Sequence, residues 1–147
     1  MRRICIALPA VLAAGLLSLL AASPASARND SHECASYSHW TNISGRYHAW
    51  YPTRTRGDFD TITCSLLWGD RGEGVRVLQQ NLNRCYKAGL ATDGIYGDKT
   101  MAAMAKVWRA EVGETRYYYD DYIRWRMDWV HWRYDERGAH STCIDWK

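Results

Sequence analysis

The sequence predicts an all-α fold, a small three-helix bundle preceded by a loop or hairpin N-terminal arm and held by two disulfides. Two segments in the middle of the chain repeat apolar residues at steps of three and four, which is the period of a helix face. A third segment near the C-terminus repeats aromatic residues at the same steps. Four cysteines follow the first 27 residues, an even number that suits a disulfide framework.

The first 27 residues have the three parts of a secretory signal peptide. Arg2 and Arg3 form a charged start, an apolar run extends from Ile4 to Ala22, and Ala25-Ser26-Ala27 resembles a cleavage site. We therefore expect cleavage after Ala27 and a secreted chain, extracellular or associated with the cell wall. No later segment is apolar for long enough to span a bilayer, so we expect no membrane anchor after cleavage.

The remaining cysteines are predicted to form two disulfides, as in other short exported chains. They are Cys34, Cys64, Cys85 and Cys143. Three pairings are possible, and we favour Cys34 with Cys64 and Cys85 with Cys143. No two of these cysteines stand two to four residues apart and the histidines are scattered, so neither a zinc site nor another cofactor is expected.

The chain after the signal peptide divides into an arm, 28–63, tethered by a disulfide, and a helical domain, 64–147. We expect loops in the arm, with a short hairpin around Ser44-Gly45, and aromatic residues such as Trp50 that extend the core or line a groove. The formal net charge is +3, and it falls to +1, with 17 Lys and Arg against 16 Asp and Glu, once the two arginines of the signal peptide are removed. This balance gives no reason to expect a nucleic-acid partner.

The first helix is predicted from Asp70, which can cap it together with Glu73, to about Gly89. Its buried face is marked by Val75, Leu78 and Leu82. Polar residues occupy the opposite face: Arg76, Gln80, Asn83 and Arg84.

The second helix is predicted to begin at a cap formed by Asp98 or Thr100 and to end at Gly113. Met101, Met104 and Trp108 mark its buried face. The segment TDGIYGD, 92–98, connects the two helices through a tight turn. We expect Ile95 to point inward and Tyr96 to stay near the surface.

The third helix is predicted from about Asp120 to Tyr134. Five aromatic residues continue one stripe, Tyr118, Tyr122, Trp125, Trp129 and Trp132. The stripe is interpreted first as core. The alternative is a surface that stacks on a ligand or docks a protein partner through Trp125, Trp129 and Trp132.

Two motifs give the middle of the chain a family resemblance. The first consists of Gly69, Gly72, Val75, Leu78, Gln79 and Leu82, and the second of Asp93, Gly94, Gly97 and Thr100. Both, in this order, resemble the helical peptidoglycan-binding domain found on many bacterial wall hydrolases. The resemblance implies a secreted bacterial protein that binds cell-wall peptidoglycan, through its glycan or its stem peptide, without catalysis.

By the same resemblance, the ligand surface lies around the end of the first helix and the Asp-Gly corner. The residues implied are Tyr86, Thr92, Asp93, Ile95, Tyr96, Lys99, Trp108 and Arg109. Tyr96 offers a ring to a sugar or peptide and Lys99 a positive charge, whereas Asp93 and Gly94 are expected to hold the loop in shape.

Two alternatives remain open. One is a small cell-wall hydrolase with acidic catalytic residues that the sequence does not reveal, which a cleft around Glu111 or Glu33 would favour. Neither a His-Glu-x-x-His zinc motif nor a free cysteine nucleophile is expected, so no catalytic residue is predicted. The other alternative is a secreted protein-interaction or inhibitor domain.

Overall fold

The computed structural model describes residues 32–41, 45–56, 59–135 and 138–144. The predicted signal peptide lies outside the described residues. The elements in chain order are β1 (Ser36–Thr41), β2 (Tyr47–Arg56), β3 (Phe59–Thr61), α1 (Glu73–Tyr86), α2 (Asp98–Glu111), α3 (Asp121–Arg124), β4 (Trp129–Asp135) and β5 (Gly138–Ile144). The predicted all-α class is therefore wrong, because the fold is mixed and contains an antiparallel sheet.

The sheet has the strand order β1-β2-β4-β5, and β3 pairs with the far end of β2. β1 and β2 form a hairpin in which Thr41 pairs with His48, so a hairpin in this part of the arm is confirmed, while Ser44 of the predicted turn lies outside the described residues. β4 and β5 form a second hairpin along their whole length. Among the described residues, two pairs, Tyr47 with Arg133 and His48 with Trp132, join the two hairpins. The N-terminal arm and the C-terminal segment thus share one sheet.

The predicted third helix is also wrong. Only α3 is helical, with Asp120 as its N-cap accepting a hydrogen bond from the Ile123 N–H at 3.0 Å, and the chain is extended again from Trp129. Steps of three and four residues do not separate a helix from a strand in so short a segment. Aromatic and β-branched residues such as Trp129, Val130 and Trp132 suit a half-buried strand.

The start of β4 is held by side chains of α1. The Asn81 amide donates to the carbonyl of Asp128, and its oxygen accepts from the N–H of Val130, both at 2.9 Å. The Tyr86 hydroxyl accepts from the N–H of Asp128 at 2.5 Å. These contacts supply hydrogen bonds of the kind a neighbouring strand would supply.

The two central helices are confirmed, although their caps differ from the expected ones. The N-cap of α1 is Gly72, and Asp70 instead accepts a hydrogen bond from the Leu67 N–H at 2.7 Å within the preceding turn. The helix ends at Tyr86, and its C-cap is Lys87, a residue in the left-handed conformation two positions before Gly89. Shifts of one or two residues are common at helix ends.

Both favoured disulfide pairings are confirmed. Cys34–Cys64 ties the start of the arm to the segment before α1, and Cys85–Cys143 ties α1 to β5. Two disulfides are consistent with an extracellular protein.

The core lies where the two central helices meet the sheet and the segment 119–129. Its largest buried side chains are Trp108, Trp129, Tyr96, Tyr119, Leu66, Leu78, Leu82, Met104, Ile123 and Met127. Within the described ranges, no helix is both long enough and apolar enough to cross a membrane.

Candidate ligand-binding groove

The sheet presents aromatic residues on both faces because side chains alternate along each strand. The register places His48 opposite Trp132, so Trp50 and Val130 share their face. This face lies against α1. Ala49, Tyr51 and Trp129 lie on the other face, and all three are buried.

A groove of about 530 Å³ separates α1 from this face. Its volume lies within the range of about 300–1,000 Å³ typical of small-molecule sites. The sheet and α1 provide most of its lining, and the loop after α1 adds one residue: Trp50, Val130, Trp132, Val77, Gln80, Asn81, Asn83, Arg84 and Thr92.

The aromatic side of the groove is exposed, and contacts between its rings hold them in place. Trp50 keeps 43% of its surface exposed. Its ring contacts Tyr37 edge-on at 5.2 Å between centroids and His39 at 4.8 Å. His39 stacks on His48 at 5.0 Å. The rings form a platform that continues from the groove across β1.

The opposite side of the groove is polar, and part of it is already engaged. The guanidinium of Arg84 donates to the Ser141 hydroxyl and lies 6.0 Å from the centroid of the Trp132 ring. Asn83 uses both ends of its amide to hold Leu90, donating at 2.8 Å and accepting at 2.6 Å. The side-chain amide of Gln80 has no hydrogen-bond partner in the described part of the chain, so it can bind a ligand.

The groove therefore combines two indole rings with donors and acceptors set across from them. Indole rings bind apolar faces while tolerating water at their edges. A sugar ring presents C–H groups on its faces and hydroxyls at its rim. The indole rings can pack against the first, and the polar side chains can bind the second. A planar arginine adds a cation that suits a carboxylate.

Two of the residues implied by the family resemblance are buried. Tyr96 has no exposed surface, and its hydroxyl donates to the Tyr117 carbonyl at 3.0 Å. Trp108 is equally buried, and its indole N–H donates to the Tyr118 carbonyl at 2.6 Å. Neither ring is available to a ligand, and burial raises the pKa of Tyr96.

The expected orientation of the Asp-Gly corner is reversed. Tyr96 points inward and Ile95 is partly exposed. The cause is backbone pairing between the two motifs: the Tyr96 N–H donates to the Asp70 carbonyl and the Gly69 N–H to the Tyr96 carbonyl, both at 2.9 Å. This pairing fixes which side of the extended segment faces the core.

Three further predicted residues lie at a second concavity, of about 390 Å³, around the Asp-Gly corner. These are Thr92, Asp93 and Ile95, and Thr92 also lines the groove. The Asp93 carboxylate accepts hydrogen bonds from the Gln79 amide and the Ile95 N–H, each at 2.9 Å. These bonds, that from Gln79 above all, lower the pKa of Asp93. Its carboxylate serves the loop.

The other predicted residues lie apart from the groove. Tyr86 and Lys99 line a cleft of about 310 Å³ at the end of α1, together with Lys87 and Lys106. The Tyr86 hydroxyl donates to Glu111 at 3.1 Å, and burial raises its pKa. Arg109 is exposed, and its Nε–H donates to the Thr115 hydroxyl at 3.2 Å.

The surface expected from Trp125, Trp129 and Trp132 is not formed. Trp129 is 1% exposed and lies in the core, whereas Trp132 lies on the opposite sheet face in the groove. Trp125 is exposed and follows α3. On a helix the three rings would share one face. In the structure they are separated because 129–135 is a strand, whose successive side chains point to opposite faces.

The ligand surface implied by the resemblance did not include Trp50, Gln80, Arg84 or Trp132. The sequence suggested Trp50 for a groove and Trp132 for a ligand-stacking stripe only as alternatives to a place in the core. Two signals in the sequence pointed towards them: the polar face of the first helix and the aromatic residues of the arm. These residues come together only because β2 pairs with β4, and the prediction of a helix over 120–134 excludes that pairing.

Among the described residues, no group of three or more His, Cys, Asp or Glu side chains is placed to hold a metal ion. Comparisons of the chain with protein-family models, curated proteins and solved structures give no match in any of the three.

Proposed function

We propose that this chain is a secreted, non-catalytic module that binds peptidoglycan, with a segment of the glycan lying in the groove between α1 and the sheet. The observation that carries the proposal is the placement of Trp50 and Trp132 across from Gln80 and Arg84 in a groove of about 530 Å³. The two motifs that resemble the wall-binding family support the same ligand. Thr92 belongs to the implied ligand surface and also lines the groove.

In this proposal the indole rings stack on sugar faces, and the Gln80 amide binds hydroxyl or acetamido groups. Arg84 faces the carboxylate of a wall sugar or of the stem peptide. The aromatic platform from Trp50 to His39 provides room for a neighbouring sugar along the chain. The two disulfides suit work outside the cell, at the wall.

The test is co-sedimentation of the purified, disulfide-bonded protein with insoluble peptidoglycan sacculi. We expect the protein to pellet and Trp50→Ala to weaken binding by about 1 to 2 kcal/mol, which is about 5- to 30-fold in the dissociation constant. Gln80→Ala is expected to weaken it less. Trp68→Ala is the matched control, because Trp68 is 66% exposed and does not line the groove.

Three results would redirect the proposal. Equal loss in the Trp50 and Trp68 variants would remove the groove as the binding site. Release of reducing sugar ends or free amino groups during the incubation would make the protein a wall hydrolase. Absence of pelleting by the wild-type protein would refute wall binding and favour a protein-interaction domain.

A further inference from the structure

A further cavity lies on the sheet face opposite the groove. It has a volume of about 210 Å³ and is lined on the sheet side by Tyr47, Ala49 and Tyr51. Trp40 and Trp125 also line it, and both are exposed, at 45% and 53%. The cavity is therefore open to solvent between aromatic walls. Because side chains alternate along β2, it shares no wall with the groove on the other face.

A buried cation lines the same cavity. Arg124 is 4% exposed, yet it stands in a helix of only four residues beside the open cavity. Its Nη2 forms an ion pair with Asp121, and its guanidinium stacks over Trp125 at 4.1 Å from the ring centroid. Its Nε is buried and has no hydrogen-bond partner among the described residues.

An unpartnered N–H on a buried guanidinium is costly. A guanidinium carries five N–H donors in a planar fork that matches a carboxylate, and the partner Asp121 is 45% exposed on its side chain. Buried charges are normally satisfied by further hydrogen bonds. Because Arg124 also lines the open cavity, its incompletely satisfied guanidinium suits an anion that arrives from outside.

Arg124 provides the positive charge in this cavity, because the neighbouring titratable side chain, His131, is neutral. His131 also lines the cavity, and its burial lowers its pKa, so it is neutral at pH 7. Its Nδ1 faces the Trp129 carbonyl at 3.0 Å and its Nε2 faces the Tyr51 hydroxyl at 3.4 Å. The rest of the lining is largely apolar or aromatic.

We propose that this cavity is a second ligand site, which binds a small carboxylate carried on a flat apolar body. The carboxylate binds Arg124, and the apolar body packs against Trp40 and Trp125. Since the volume lies below the range of about 300–1,000 Å³ typical of drug-sized ligands, the ligand has the size of one ring with a short acid arm. The proposal does not depend on wall binding in the groove.

The test uses phenylacetate as the probe and phenylacetamide as its uncharged match. The disulfide-bonded protein is titrated with each compound while the arginine Nε–H and indole N–H signals are followed by nuclear magnetic resonance. We expect phenylacetate to shift the Arg124 Nε–H signal and the Trp125 indole signal, with binding at least about tenfold tighter than that of phenylacetamide, because bonds to charged groups are the strong ones.

Three variants sharpen the test. Asp121→Asn removes the anion that competes for Arg124 and is expected to tighten phenylacetate binding about two- to fivefold, the range of an exposed ion pair. Trp125→Ala is expected to weaken it, and Trp68→Ala, an exposed indole that does not line the cavity, to leave it unchanged. Trp125 is exposed, and Asp121→Asn keeps an acceptor oxygen beside the buried Arg124 guanidinium, so both variants are expected to fold. Thermal unfolding of each variant checks this.

The proposal is overturned if phenylacetate and phenylacetamide shift the same signals with equal affinity, since the site would then be an apolar crevice that does not recognise charge. It is equally overturned if neither compound shifts the Arg124 signal. Unchanged affinity in both the Asp121→Asn and the Trp125→Ala variants would place any bound phenylacetate elsewhere.

Discussion

The side-chain amide of Gln79 in α1 donates to the carboxylate of Asp93, 14 residues later, at 2.9 Å. The same nitrogen lies 3.0 Å from the Ile95 carbonyl and 3.1 Å from the Thr100 hydroxyl, and the amide oxygen accepts from the Gly94 N–H at 2.9 Å. One buried side chain from the first motif thus holds residues of the second. The hydrogen bonds between the two motifs that resemble the wall-binding family therefore give both motifs a structural role, which does not depend on the ligand.

Gln79→Ala is expected to destabilise the fold by about 2 to 4 kcal/mol, because it leaves buried groups such as the Gly94 N–H without partners. The measurement is chemical denaturation of the disulfide-bonded protein. Gln80→Ala is the matched control: the neighbouring glutamine is exposed, so its loss is expected to change stability by no more than about 0.5 kcal/mol. Equal effects of the two variants would contradict the structural role of Gln79.

Gly74, the second residue of α1, lies directly against the backbone of the arm. A Cβ there would lie 1.9 Å from the Cys34 carbonyl oxygen, so Gly74→Ala must displace the arm and its disulfide. We expect a loss of at least about 2 kcal/mol in the free energy of unfolding.

Gly97→Ala is the control for this substitution. A Cβ at Gly97 would meet nothing within 4 Å, and the residue has an ordinary negative φ of −97°. Because Gly97 is the N-cap of α2, a cost below about 1 kcal/mol is expected. Thermal unfolding of both variants measures the difference, and a Gly74→Ala protein as stable as Gly97→Ala would refute the close contact.

The two central helices were predictable because their information is local. Leu78 and Leu82 repeat at the helix period, and both are fully buried as expected. The disulfides followed from the count and order of the cysteines. Apart from the helix caps, the conformation of the corner between the helices was wrong, because the backbone pairing that turns Tyr96 inward joins segments 26 residues apart.

The C-terminal segment and the groove were not predictable in the same way. The stripe through Trp125, Trp129 and Trp132 fits a helix, but α1 and β2 contribute contacts that favour a strand. Those contacts come from residues as distant as Asn81 and His48, and the periodicity of one short segment carries no record of them. The groove forms only if 129–135 is a strand that pairs with β2. The sequence therefore indicated the residues on each side of the groove but not that the two sides face each other.

Asn81 provides a test of why β4 is extended. Asn81→Ala removes the hydrogen bonds to the Asp128 carbonyl and the Val130 N–H, and we expect a loss of about 2 to 3 kcal/mol in stability. Faster hydrogen exchange of the Val130 amide is the local signature.

Asn83→Ala is the matched control in the same helix, because Asn83 bonds Leu90 and not β4. It is expected to speed exchange at the Leu90 amide alone. If Val130 exchanged no faster in the Asn81 variant than in the Asn83 variant, the hydrogen bonds of Asn81 would not be what holds the start of the strand.

His131 makes stability depend on pH. Its burial lowers its pKa below the ordinary value of 6.5, so in the window between these two values the unfolded chain binds a proton that the folded chain does not. Stability is therefore full above that window and falls as the pH drops through it. His131→Gln removes this dependence, so the stability lost by the substitution is expected to be smaller at pH 5 than at pH 7.5. Denaturation at both values measures the change, with the exposed His140→Gln as the control. A cost of His131→Gln that stayed constant or grew on acidification would show that the imidazole takes up its proton as readily in the core as in the unfolded chain.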